Sequence, residues 1–396
     1  MPDITAFQAA VREAGVDGWL FYDFRRSNAI AHRVLELPAH AFFTRRWYYY
    51  VPAAGDPVAI VSAVEAHALA GLPGQQRVYR TWGELRALLA EMLAGARRVA
   101  MEYVPLNAIP YCSLVDAGTV ELVRSIGPEV VSSADFAQRF EAVLSPTQIV
   151  SHRRAGQALQ RAGDRIYSWT RERLLADAAL TEYDIQRELA DYMRVEGLAV
   201  ADDEAPLVAV NGNAANPHYS PTLERNSPVR RGDTLLIDFS APLAEPGAIV
   251  ADYTWMAYLG ERVPQRVADL FQIVCQARDT GVETLRQAFR AGTRIEGCAV
   301  DDATRAVIAA AGYGEAFVHR TGHNIGERVH GNGAHLDNLE THDTRPLLVN
   351  TCTSVEPGIY LPDERLGLRA EVNVLLLEGE IEVTGWEQQE AHPLLA

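Results

Sequence analysis

Cysteine is scarce in this chain of 396 residues: Cys112, Cys275, Cys298 and Cys352 are the only four, and no two form a CxxC pair. They read as reduced thiols rather than a disulfide framework or a redox motif. No apolar run approaches the roughly 20 residues that a membrane-spanning helix needs, so no membrane association is expected. The opening residues, MPDITAFQAAVREAG, lack a basic segment followed by an apolar one, so no secretory signal is expected and the expected location is the cytoplasm. Basic residues are outnumbered 36 to 52, giving a net charge of −16. Nucleic acid is therefore not expected as a partner, because binding phosphates needs concentrated cations. Short repeats and low-complexity tracts are absent too. What is present is an ordinary globular composition, 48% hydrophobic and 22% charged, ample for a sizeable core. As a prior, the length suggests two or three domains.

The first part of the chain alternates. Residues 4 to 15 read as a short amphipathic helix stopped at Gly15, and GWLFYDF (18–24) as a strand. WYYYVP (47–52) and VAIVSA (58–63) read as a hairpin turning at Gly55 and Pro57. A helix over 81–95 and a strand over 98–105 complete an α/β domain assigned to 1–145. The texture changes at SPTQIVSHRR: Ser145 is a good N-cap, Pro146 suits the first helical position and Gln148 completes a capping box. A long helix starts there and opens the second domain, 146–396. Further helices are expected at 180–197, about 264–289 and 297–311. Strands are expected at LVAV, TLLIDFSA, VADYTWMAYLG, CTSVEPGIY and AEVNVLLL. The mixture predicts α+β.

Chemistry gathers on those strands. Asp238 ends the apolar run TLLID, and Asp252 lies in equally apolar VADYTW. Glu356 sits in SVEPGIY, and Glu371 begins a strand of Val and Leu. Burying an unpaired carboxylate is costly, and four would need four counter-charges. Two divalent cations shared among them answer the whole set, and oxygen donors with one imidazole suit Mn²⁺, Co²⁺ or Zn²⁺. The imidazole comes from HRTGHNIGERVHG (319–331), which holds His319, His323 and His330. Spacing of four would place His319 and His323 on one helix face, but Gly322 and Gly326 each weaken a helix by about 1 kcal/mol. A strand or turn that lets backbone approach a site is the better reading.

The order Asp, Asp, His, Glu, Glu resembles the pita-bread metallopeptidases, a family that includes aminopeptidase P, Xaa-Pro dipeptidase (prolidase) and methionine aminopeptidase. The similarity runs over about 146–396 and is strongest in NGNAANPHYSP (211–221), HRTGHNIGERVH (319–330), VEPGIY (355–360) and RAE (369–371). HRTGH, EPGIY and a separate N-terminal domain favour the proline-specific branch, and GWLFYDFRRSNAIA (18–31) resembles that branch's creatinase-like N-terminal domain.

The resemblance implies a pita-bread catalytic domain and five metal ligands, Asp238, Asp252, His323, Glu356 and Glu371, with Asp252 and Glu371 bridging two ions, manganese first and zinc or cobalt otherwise. It implies that Glu356 relays the proton of a shared attacking water as base and then acid. His218 and His330 would face the substrate, His330 stabilising the developing oxyanion, with His319 in support. Arg369 would pair with an acidic neighbour or the substrate. The activity implied is hydrolysis of Xaa-Pro dipeptides by a homodimer. Aminopeptidase P action on longer peptides is the first alternative, and a non-hydrolytic creatinase-like or peptide-binding homologue the second. A dipeptidase needs a cation for the substrate carboxylate, and Arg320, Arg328, Arg365 and Arg369 are candidates.

Some positions depart from the family. The two aspartates are fourteen apart, with extra residues in APLAEPGAIV. Trp255 stands where an arginine is common, Gly331 where a glutamate is, and the acid that often follows Glu371 is missing. FTRRWYYYVP (43–52) reads as an ordinary aromatic strand, or as a segment that helps a neighbouring subunit select substrate. His32, His40, His67, His152, His335, His342 and His392 are expected to be surface or packing residues.

Overall fold

A computed structural model describes residues 1–38, 41–201 and 205–396. His40 lies outside them. The chain divides into two compact units, Met1–Glu141 and Ala142–Ala396.

The first unit runs α1 (Ile4–Glu13), β1 (Gly18–Asp23), α2 (Ala29–Val34), β2 (Trp47–Pro52), β3 (Val58–Ser62), β4 (Gln75–Tyr79), α3 (Trp82–Met92), β5 (Arg98–Met101), α4 (Ala117–Ile126), β6 (Glu129–Ser132) and α5 (Ala134–Glu141). Its sheet has the order β4-β3-β2-β1-β5-β6. β2 is antiparallel to both neighbours, and the other pairings are parallel. Successive side chains of a strand leave opposite faces, so β2 feeds two cores. Trp47, Tyr49 and Val51 pack with Trp19 and Phe21 on one face. Tyr48 and Tyr50 pack with Leu20 and Tyr22 on the other. All three tyrosines are buried, which makes β2 a structural aromatic strand.

The second unit contains α6 (Pro146–Leu175), α7 (Glu182–Val195), β7 (Leu207–Val210), β8 (Thr234–Ala241), β9 (Ala251–Tyr258), α8 (Gln265–Ala291), α9 (Gly297–Ala310), β10 (Asn324–Ile325), β11 (Thr351–Val355), β12 (Gly358–Leu361), β13 (Leu366–Arg369), β14 (Val372–Leu377), β15 (Glu380–Thr384) and β16 (His392–Pro393). The expected box caps α6: the Ser145 side chain accepts from the Gln148 N–H while Gln148 reaches back to the Ser145 N–H. Two four-stranded sheets, β16-β9-β8-β7 and β10-β11-β14-β15, flank the small β12-β13 pair. Odd-numbered residues of β8 and β9, such as Ile237, Phe239, Tyr253 and Trp255, pack on α6. Even-numbered Leu236 and Met256 pack on the first half of α8 with Ile359 and Leu368. This is a pita-bread-like α+β domain preceded by an α/β domain.

Two strand expectations need correction. CTSVEPGIY is not one strand: β11 ends at Val355, and β12 begins at Gly358 in a different sheet. AEVNVLLL starts at Val372, so Glu371 precedes its strand instead of opening it. The two breaks lie opposite each other. Val355 pairs with Val372 and Gly358 with Arg369, leaving Glu356–Pro357 facing Ala370–Glu371. Pro357 has no N–H to continue the ladder. One long ribbon thus bends where both predicted glutamate ligands sit.

Candidate metal centre

The register of β8 and β9 sets half of the site. Asp238 opposes Thr254 and Ser240 opposes Asp252, so Asp238, Asp252 and Thr254 share the face turned from α6. The loop over 242–250 joins the two strands without disturbing that register, so the long spacing between the aspartates is an insertion outside the ladder. Asn373 ties β9 to β14: the Asp252 N–H donates to its Oδ1 at 2.9 Å, and its Nδ2 donates to the Asp252 carbonyl at 2.7 Å.

β11 sets the other half. The His323 N–H donates to Ser354 Oγ at 2.9 Å, and the Glu356 N–H donates to the Thr321 carbonyl at 2.8 Å. The His-rich segment contains no helix, only the two-residue β10 and bends. Gly322 explains its composition: a Cβ there would lie 2.0 Å from the Ser354 carbonyl oxygen. A side chain would therefore push His323 away from β11.

These elements bring Asp252, His323 and Glu371 together, with ligand atoms all within 4.8 Å of one another. All three residues are buried. His323 Nε2 lies 3.4 Å from Asp252 Oδ2 and 3.2 Å from Glu356 Oε1. Asp238 meets the Arg369 guanidinium through Oδ2. Arg369 also donates from Nε to Thr254 Oγ1 at 2.9 Å and from Nη1 to the Tyr360 hydroxyl at 3.1 Å. The Thr254 hydroxyl donates onward to Glu371 Oε2 at 2.7 Å. His319 Nε2 bonds to the Tyr360 hydroxyl at 2.7 Å. The His330 ring stands edge-on to His323, with centroids 4.4 Å apart. His218 is exposed on the loop after β7, near enough for its charge to bear on His330.

Charge in this space is unbalanced. Burial raises the pKa of Asp238 to about 7 against the pull of Arg369, and the charges of Asp252 and Glu356 add to the rise. Burial and the neighbouring carboxylates lift Glu371 well above its ordinary value, and Asp252 is raised as well. For His323 burial opposes protonation, but Asp252 and Glu356 outweigh it and push the pKa up to about 9. Glu356 moves the other way: burial is outweighed by His323, His319 and Arg369, so it is held charged. Glu371 Oε1 is buried without a hydrogen-bond partner. An orphaned carboxylate oxygen beside further buried carboxylates and one imidazole suits a divalent cation.

Two family departures become intelligible. Trp255 points away from this face and is fully buried against Tyr167, Phe239 and Trp386. It fills a core position and takes no place in the metal site. Gly331 has no room for the missing carboxylate, since a Cβ would lie 2.3 Å from Asn324 Oδ1. Four neighbours of the site were not singled out in the sequence: Thr254, Ser354, Asn373 and Tyr360. Strand alternation is a signal for three of them, because each lies two residues from a predicted ligand. The remaining histidines behave as packing or surface groups: His32, His152 and His335 are buried, His67 and His342 exposed, and His392 stacks on Tyr167.

A buried carboxylate–imidazole cluster in this setting defines a metal-dependent hydrolase. The chain belongs to metallopeptidase family M24, whose model matches residues 150–378. It is 28% identical over 343 residues to the "Probable dipeptidase PepE" of Mycobacterium tuberculosis, covering 85% of this chain and 82% of that protein. In fold it is similar to the dipeptidase PepE from Mycobacterium ulcerans, with a TM-score of 0.69 and 24% identity over 99% of this chain and 96% of that one. It is also similar to the X-Pro aminopeptidase from Thermotoga maritima, with a TM-score of 0.61 and 22% identity over 99% of both chains.

Proposed function

We propose that the chain is a Xaa-Pro dipeptidase that holds two divalent cations, manganese first, on Asp238, Asp252, His323, Glu356 and Glu371. The observation that carries this reading is the convergence of Asp252, His323 and Glu371 within 4.8 Å, with Glu356 against His323. Cations held by these residues would polarise a scissile carbonyl and lower the pKa of an attacking water.

The chain's own residues supply the rest. Glu356, held charged, takes the proton from that water and passes it to the prolyl nitrogen. The Ser354 hydroxyl donates to Glu356 Oε1 at 3.1 Å and fixes its rotamer. Arg369 holds Asp238 and Tyr360 in place, and Tyr360 in turn orients His319. The Arg369 guanidinium bonds Thr254, Tyr360 and Asp238 and so serves the ligand frame; Arg320, Arg328 and Arg365 are the candidates for the substrate carboxylate. His330, beside His323, and His218, on the exposed loop, contact the substrate around the scissile bond. A Xaa-Pro bond has no amide N–H, so recognition falls on ring shape and the free amine.

The homodimer and the cytoplasmic location belong to this same proposal. Among the described residues no helix is long and apolar enough to cross a membrane. The names of similar proteins include both dipeptidases and X-Pro aminopeptidases, so the deciding experiment is hydrolysis of Ala-Pro beside Ala-Pro-Ala across a Mn²⁺, Zn²⁺ and Co²⁺ series. Cleavage of Ala-Pro supports the proposal. Cleavage of the longer peptide alone would make the chain an aminopeptidase P.

A further inference from the structure

The first unit carries a cavity of about 800 Å³ that plays no part in the chemistry above. It lies where β1, β3 and β4 end, β2 begins and α3 and α4 start. That is the carboxyl end of the parallel strands, the place where open α/β sheets bind ligands. Four arginines line it: Arg25, Arg45, Arg46 and Arg80. The chain has no lysine, so these are its strongest available cations. Elsewhere in the unit Arg33, Arg77, Arg98 and Arg139 each pair with a glutamate. The four cavity arginines form no ion pair with a carboxylate among the described residues.

The acids nearby are already committed. Asp116 caps α4, accepting from the Thr119 N–H at 2.9 Å and the Thr119 hydroxyl at 2.7 Å. Glu65 accepts from the Thr44 N–H at 2.9 Å and the Arg45 N–H at 3.1 Å, fixing the segment that presents Arg45 and Arg46. Two exposed aromatic faces complete the wall. Arg46 lies 5.1 Å from the Trp82 ring centre and Arg25 lies 5.3 Å from that of Phe24, and the two rings are 51% and 40% exposed. The turn that offers Arg25 is strained: Arg25 and Arg26 have φ of 58° and 61°, consecutive left-handed residues without glycine. Asp23 holds it by accepting from the Arg26 and Asn28 N–H groups at 3.0 and 2.9 Å. Strain held in this way clusters at ligand sites.

We propose that this cavity binds a small molecule carrying two or more phosphates on a flat aromatic base, the nucleoside di- and triphosphate class. Four permanent cations against one lining carboxylate, Asp116, call for a multiply charged anion. Guanidinium forks match phosphate oxygens, and the exposed rings match a base. The volume falls within the roughly 300–1,000 Å³ of small-molecule sites.

The test is calorimetric titration of the metal-loaded full chain with ADP, pyrophosphate, adenosine and citrate, in excess Mg²⁺ so that nucleotide does not strip the catalytic ions. ADP is expected to bind saturably, one per chain, with pyrophosphate weaker and adenosine undetected. The pair Arg46→Gln and Arg80→Gln should weaken ADP at least about tenfold, with unchanged unfolding temperature as the fold control. Trp82→Leu should weaken ADP and leave pyrophosphate unchanged. Absence of ADP binding, citrate binding as tight as ADP, or ADP binding undiminished in the arginine pair would overturn the proposal.

Discussion

Replacing Thr254 with valine tests how the metal site is held together. Thr254 is 1% exposed, and its hydroxyl is the only atom joining Glu371 to Arg369 among the described contacts. Valine preserves the shape, so no cavity opens and the hydroxyl alone is lost. Two hydrogen bonds to charged partners disappear, each of a kind that contributes roughly 1.5–3 kcal/mol. Part of that loss is recovered as side chains relax, so metal affinity should fall by about 10–100-fold, the usual result of removing a group that orients a metal ligand. Thr254→Ser keeps the hydroxyl and should stay within about threefold of wild type. The assay is equilibrium dialysis of chelated protein against Mn²⁺, paired with urea unfolding of the metal-free form. Wild-type affinity in Thr254→Val, or an equal loss in Thr254→Ser, would refute the reasoning.

Other outcomes follow from the same geometry. Trp255→Arg, which would restore the commoner family residue, should destabilise by more than about 4 kcal/mol, because an unpaired cation would enter the apolar face on α6; denaturant unfolding measures it. Gly322→Ala should abolish metal retention, since its Cβ would meet the Ser354 carbonyl, whereas Gly326→Ala has nothing within 4 Å and should retain metal normally. The metal-free protein should lose stability as pH rises from about 7 to about 9, above the range in which the pKa-lowered His152, His319, His330 and His335 titrate. Asp238 is raised to about 7 and His323 to about 9, and a raised folded pKa gives stability that is present at low pH and lost as pH climbs through it. Cations compete with those same protons, so the gap in unfolding temperature between Mn²⁺-loaded and chelated protein should widen from pH 6 to pH 8; a gap that narrows would contradict the donor set.

The carboxylates of the site were legible because an acid inside an apolar strand is costly and therefore conspicuous, as with Asp238 in TLLID and Asp252 in VADYTW. Thr254, Ser354 and Asn373 escaped because a neutral polar residue on a strand carries no such penalty and looks the same in any sheet. Alternation around each ligand pointed to them all the same. The ribbon bend was hidden for a different reason. RAEVN carries no breaker, and although Pro357 and Gly358 interrupt CTSVEPGIY, only the pairing of Glu356–Pro357 against Ala370–Glu371 reveals that both strands change sheet at once. The arginine cavity depends on the ends of six elements, so no local pattern could announce it. By contrast, the start of α6 was exact, because the Ser145–Gln148 box is a local motif whose physics is complete within four residues.

Metal stoichiometry tests the central claim most directly. Dialysed against Mn²⁺ and counted per chain, the wild-type protein should hold two ions and Asp252→Asn no more than one. Equal metal content in both, or full Ala-Pro hydrolysis by a wild-type protein freed of metal, would contradict it.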